Sequence, residues 1–162
     1  MRVIGIDPGT RNAGFGVVER HGSRLRHIAH GTIRLGAGEL GDRLVTLDAT
    51  LARIIVEHAP TAAAVEAMFF AKNANSAGKL GHARGVVLLA LRRAELSVAE
   101  YPPAKVKLAV VGSGRAEKEQ VAGVVARILG LSVVPEPDAA DALAIAITHL
   151  NVAAFTAALA RV

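Results

Sequence analysis

The chain of 162 residues predicts an α/β domain: a mixed five-stranded sheet, with three antiparallel strands and then parallel strands, flanked by helices. Three observations carry that expectation. Three strand-like runs follow one another before any helical pattern begins, which implies an antiparallel meander. Helical stripes then alternate with short apolar runs, the mark of parallel strands joined by crossover helices. Apolar residues reach 52% and charged residues 20%, enough for one substantial core and too apolar for a disordered chain. A single domain over residues 1–162 is the expectation.

The elements follow in order. Val3 to Asp7 is apolar until Asp7 and ends at Pro8-Gly9, a strand and a turn. Ala13 to Arg20 and Arg24 to Leu35 read as two further strands, and His21-Gly22-Ser23 suits a hairpin between them. Leu40, Leu44, Leu47, Leu51 and Ile54 recur at helical spacing until Pro60. Ala62 to Glu66 is apolar up to its last residue, as a buried parallel strand would be. The stretch from Phe69 to Ala77 is polar and loop-like, and a helix is expected from about Gly78 to Ala94. Leu96 to Tyr101 reads as a fifth strand closed by Pro102-Pro103. Val121, Val124, Val125, Ile128 and Leu129 mark a helix ended by Gly130, and a last helix runs from Asp138 to about Leu150. The tail from Asn151 extends that helix or frays. This order matches a ribonuclease-H-like fold with the first strand central.

Several classes are excluded. No cysteine occurs, so disulfides, iron–sulfur clusters and thiol catalysis are out. Only five aromatics occur (Phe15, Phe69, Phe70, Tyr101, Phe155), so the core must be mostly Ala, Val, Leu and Ile. The longest unbroken apolar stretch, Gly85 to Leu91, is too short to cross a bilayer, and the N-terminus lacks a signal-peptide pattern. No membrane and a cytoplasmic location are the expectations. Net charge is +5 and arginine outnumbers lysine 14 to 5. Nine basic residues crowd between Met68 and Lys118, with only Glu95, Glu100 and Glu117 opposing them. A basic face rich in arginine attracts phosphate, although a high pI alone is also compatible with an ordinary protein surface.

Four carboxylates stand out by position. Asp7 and Glu66 end strands that should be parallel neighbours, so both would emerge at one sheet edge, where ligands gather. Asp138 and Asp141 sit three residues apart on one face of the last helix. An all-oxygen cluster suits Mg²⁺ or Mn²⁺, and two such ions can promote phosphodiester hydrolysis. Blander readings stand beside this one. Asp7 could be a turn aspartate, Glu66 a strand end meeting solvent, and Asp138 and Asp141 helix caps. The turn Asp7-Pro8-Gly9-Thr10 also resembles the first phosphate loop of actin-like ATPases, which supplies an alternative function.

Longer motifs resemble the RuvC family of Holliday-junction resolvases. They are Gly5-Ile6-Asp7-Pro8-Gly9-Thr10 with Gly14 and Gly16; Val65-Glu66 with Phe69-Phe70-Ala71-Lys72-Asn73-Ala74-Asn75-Ser76-Ala77; Lys79-Leu80-Gly81-His82-Ala83-Arg84-Gly85; Val106-Lys107 with Ala116-Glu117-Lys118; and Asp138-Ala139-Ala140-Asp141 through His149. They span nearly the whole chain in the family's order. The resemblance implies a metal-dependent nuclease that makes paired, symmetric nicks in four-way junction DNA, leaving 5′-phosphate and 3′-hydroxyl ends. It implies Asp7, Glu66, Asp138 and Asp141 as metal-binding catalytic carboxylates, with Mg²⁺ or Mn²⁺ and two ions per site. By the same resemblance Lys107 and Lys118 contact phosphate near the cut and Phe69 stacks at the junction. Lys72, Asn73, Lys79 and Arg84 join them as DNA contacts. A homodimer through the helix near Gly78 and a partnership with the RuvA and RuvB branch-migration proteins are also implied. Against these stand the readings of Phe69 as a core aromatic, the lysines as a solvated face and the helix as plain core. A non-catalytic junction-binding module and a YqgF-type nuclease remain rivals; the latter shares Asp7-Pro8-Gly9-Thr10 but not both long motifs.

Overall fold

The computed structural model describes residues 1–67 and 74–160. Its elements are β1 (Arg2–Asp7), β2 (Asn12–His21), β3 (Arg24–Arg34), α1 (Leu40–His58), β4 (Ala62–Glu66), α2 (Ala74–Arg93), β5 (Val98–Tyr101), α3 (Pro103–Val111), α4 (Lys118–Leu129) and α5 (Pro137–Leu159). The sheet order is β3-β2-β1-β4-β5. The β1–β2 and β2–β3 pairs are antiparallel, and β4 runs parallel to both β1 and β5. β1 is therefore central, as expected. The two-residue turn Gly22-Ser23 closes the hairpin, with Gly22 at φ +60°.

Alternation along the strands splits the core in two. Ile4, Ile6, Ala63 and Val65 face α1 and α2, where Leu47, Leu51, Val87 and Leu91 pack. Val3, Ala62 and Ala64 face the other way, toward Leu143, Ile147, Val121 and Val125 of α4 and α5. Tyr101 is the sole aromatic in the buried core among the described residues, so small and branched aliphatics do fill it.

Helix α5 crosses the sheet unusually closely. Gly5 pairs with Gly16, and Asp7 with Gly14, across β1 and β2. A Cβ on Gly5 would strike the Ala142 carbonyl, one on Gly14 the Asp138 carbonyl, and one on Gly16 would lie 2.7 Å from the Leu143 nitrogen. These three glycines form a side-chain-free trench that admits the helix backbone. The trench sets the first turns of α5 beside the end of β1.

Several boundaries differ from the sequence reading. Helix α3 replaces the simple strand end expected at Pro102-Pro103: Pro103 stands at the first helical position, where its fixed φ helps, and Gly112 at φ +79° stops the helix. Helix α2 begins at Ala74, before Gly78. Helix α1 continues to His58, and Ala59 takes a left-handed conformation ahead of Pro60. The capping box of Glu117 and Gln120 starts α4 at Lys118. The tail extends α5 to Leu159, leaving Phe155 and Leu159 exposed. Helix α5 is long and apolar enough to cross a membrane by length and composition alone, which the unbroken apolar runs did not suggest. Residues Ala139 to Leu150 are nevertheless largely buried against the sheet, as in a core helix.

Candidate active site

β1 and β4 pair through Ile6 and Val65, so the next residues, Asp7 and Glu66, leave the sheet side by side. Helix α5 brings Asp141 to them across the glycine trench. A cavity of about 270 Å³ opens there, lined by Asp7, Glu66, Asp141, Lys107 and Lys118, over apolar walls that include Val106, Val121 and Ile145. Asp138 does not line it, yet its charge reaches Asp7. Neither aspartate of α5 caps the helix: Glu136 holds the N-cap position, without a side-chain cap bond.

The electrostatics are those of crowded acids. Burial, then the charges of Glu66 and Asp141, push the Asp7 carboxyl up to about 8, against the opposing pull of Lys118. Burial, then Asp141, raises Glu66, while Lys118, Lys107 and Arg84 oppose the rise. Lys118 Nζ donates to Asp141 Oδ2 at 2.7 Å, which raises the lysine's own affinity for its proton. Burial is the largest cause for both acids, and the charges of neighbouring carboxylates add to it. The site's donors are all carboxylate oxygens, the set preferred by hard divalent cations. The residues therefore fit such a cation in kind. Among the described residues, no three acidic or histidine side chains converge on one point as they stand. Lys118 occupies one oxygen of Asp141 and partly answers the charge of the acids.

The expected site residues fall in several places. Lys107 lies half-buried on α3, and the helix that carries it was legible only in Pro103 and Gly112. Lys79 is exposed on α2, away from the cavity lining. Arg84, expected among the DNA contacts, is instead turned inward: Nη1 donates to the Glu66 carbonyl at 2.5 Å, and Nη2 meets Glu100 Oε2 at 2.5 Å. Phe69, Lys72 and Asn73 lie outside the described residues. On α2, Leu91 belongs to the core, whereas Leu89 is 49% exposed and Gly78, Gly81 and Gly85 face open space. The turn after Asp7 is closed by its own neighbours, with Arg43 Nη1 donating to the Thr10 carbonyl at 2.5 Å and the Leu35 N–H to the Arg11 carbonyl at 2.8 Å.

The sheet order, with an acidic cavity at the ends of β1 and β4, places the chain in the ribonuclease-H-like class. Within that class the chain belongs to the RuvC family, whose model, described as crossover junction endodeoxyribonuclease RuvC, matches residues 3–149. The crossover junction endodeoxyribonuclease RuvC of Sorangium cellulosum is 58% identical over 99% of this chain and 90% of its own length. That of Acidiphilium cryptum is 54% identical over 93% of this chain and 90% of its own. Thermus thermophilus RuvC in complex with Holliday junction substrate superposes with a TM-score of 0.88 at 39% identity, covering 94% of each chain. The fowlpox virus resolvase, bound to Holliday junction DNA, shares the fold with a TM-score of 0.61 at 14% identity over 93% of this chain and 99% of its own. Family membership sets aside the ATP-binding and non-catalytic readings.

Proposed function

We propose that this single-domain chain resolves four-way DNA junctions by hydrolysing one phosphodiester bond per active site. The observation that supports this most is the cavity in which Asp7, Glu66 and Asp141 face Lys107 and Lys118. Acid and base would serve one substrate there: the carboxylates would hold divalent cations and the lysines would hold the phosphate. Mg²⁺ or Mn²⁺, two ions during catalysis, would supply the Lewis acidity that activates water and steadies the leaving oxygen. Asp7, Glu66 and Asp141 are the holding ligands, and Asp138 joins them from the first turn of α5. Lys107 and Lys118 steady the charge that builds on the scissile phosphate. For Lys118 this means letting go of Asp141 when phosphate arrives. Water oxygen bonds to the phosphorus, the P–O3′ bond breaks and the departing 3′ oxygen takes up a proton, so the products are a 5′-phosphate and a 3′-hydroxyl.

One chain offers one carboxylate cluster, whereas resolution needs two cuts in strands of like polarity. A two-fold homodimer presents two clusters to the two related strands. The outward face of α2, with Leu89 and the bare backbone at Gly78, Gly81 and Gly85, suits that contact. By family likeness Phe69, Lys72, Asn73 and Lys79 are DNA contacts. Family likeness further implies action in the cytoplasm with RuvA and RuvB.

The deciding experiment compares a mobile four-way junction with linear duplex of the same sequence, in Mg²⁺, in Mn²⁺ and in EDTA. Paired nicks in the junction alone, abolished by EDTA, are expected. Equal cutting of both substrates, or cutting in EDTA, defeats the reading.

A further inference from the structure

We infer that Arg84 is a positioning residue that holds the catalytic carboxylate Glu66 in place from helix α2, and so acts on metal affinity rather than on DNA. The inference rests on the metal site proposed above.

The Arg84 side chain is 11% exposed, and its two terminal nitrogens are committed in different directions. Nη1 reaches the backbone carbonyl of Glu66, and Nη2 reaches the carboxylate of Glu100 on β5. Glu66 is the last residue of β4 and pairs with Tyr101. Beyond it, the Ala67 N–H donates to the Tyr101 carbonyl at 2.9 Å. On the β1 side the register ends at Ile6 and Val65, one step before Glu66. The backbone carbonyl at this strand end is thus taken by a side chain from α2, 18 residues along the chain. An arginine suits this task because its planar fork fixes two acceptors at once and always carries charge.

Position along the chain adds to the argument. Arg84 stands on the helix whose outward face is the proposed dimer contact. A shift of α2 on dimerisation or junction binding would therefore reach Glu66 through one side chain. Partners that orient ligands in this way typically cost 10–100-fold in metal affinity when removed.

Full-length protein is titrated with Mn²⁺ by calorimetry without DNA, as wild type, Arg84→Met, Arg84→Lys and Glu100→Gln. Junction binding is measured in EDTA and thermal melting in parallel. Arg84→Met is expected to weaken Mn²⁺ about tenfold while leaving junction affinity within about twofold. Arg84→Lys, which can keep one bond, should recover part of the loss, and Glu100→Gln, which keeps the Glu66 contact, should stay near wild type. A folded Arg84→Met with unchanged Mn²⁺ affinity overturns the inference. So does a variant that loses junction affinity alone, which would return Arg84 to the DNA contacts. Should Arg84→Met fail to fold, unchanged Mn²⁺ affinity in Arg84→Lys overturns it equally. If wild type binds no Mn²⁺ in a manner that depends on Asp7, the metal site itself fails and takes this inference with it.

Discussion

Gly14 lies so close beneath Asp138 that a single added carbon would strike the Asp138 carbonyl. Gly14 is also the cross-strand partner of Asp7. Gly14 on β2 therefore helps set how closely the helix that carries two of the four carboxylates approaches the sheet beside Asp7.

Replacing Gly14 with alanine should push the start of α5 off the sheet. Overpacking of this kind costs about 1–3 kcal/mol, and nicking should fall further than stability because the carboxylates separate. Gly123, inside α4 with open space around it, provides the contrast. Its alanine variant should gain roughly 0.5–1 kcal/mol from helix propensity alone. Thermal melts and nicking assays on both variants check this. Normal activity in Gly14→Ala would show that the trench does not set the site.

Asp7→Asn should abolish nicking while leaving junction binding largely intact, since it removes a ligand charge and no backbone-tracking cation. A pH signature accompanies it. The Asp7 carboxyl is raised from 3.8 to about 8 in the folded chain. Between those values the folded state binds more protons than the unfolded state, so metal-free stability must fall as pH rises. The asparagine variant lacks that titration. Melting in EDTA from pH 4.5 to 8.5 should therefore decline more steeply for wild type than for Asp7→Asn, and saturating Mg²⁺ should flatten the wild-type decline. Parallel wild-type and variant profiles would remove the buried-acid account.

Lys118→Ala and Lys107→Ala should slow cleavage by about 2–4 kcal/mol in barrier, because each faces charge that builds at the phosphate. Stability should change little for Lys118→Ala. Its pair with Asp141 is 63% and 22% exposed on the two sides, and such pairs contribute about 0–1 kcal/mol. Single-turnover rates and junction affinities separate the effects. A loss confined to binding and its salt dependence would make either lysine a backbone-tracking contact.

Leu89→Asp should turn a dimer into a monomer without loss of fold, because Leu89 is about half exposed in the single chain. Light scattering reads the mass, and the junction assay should then show single rather than paired nicks. Wild-type protein that stays monomeric with and without DNA, yet nicks in pairs, would contradict the symmetric-dimer argument.

Much of this was legible before any tertiary structure. The apolar runs from Val3 to Asp7 and from Ala62 to Glu66, each ending in a carboxylate, located two strands and predicted their shared edge. The four- and three-residue spacing from Leu40 to Ile54 located α1. These signals are local: a short apolar run reports a strand buried on both faces, and helical spacing reports which face of a helix is buried. The long motifs around Lys79 to Gly85 and Asp138 to His149 carried the family likeness.

What neighbours decide was not legible. Pro102-Pro103 ends a strand and begins a helix equally well, so α3, and with it the placement of Lys107, depended on the packing of Val106 beneath α5. Gly5, Gly14 and Gly16 are unremarkable in a strand pattern until a helix backbone lies against them. Arg84 reads from sequence as one more cation on a basic helix. Only when β4 and β5 end beneath it do the Glu66 carbonyl and the Glu100 carboxylate turn it inward, because a strand end leaves acceptors that a cation on the adjoining helix can reach and satisfy.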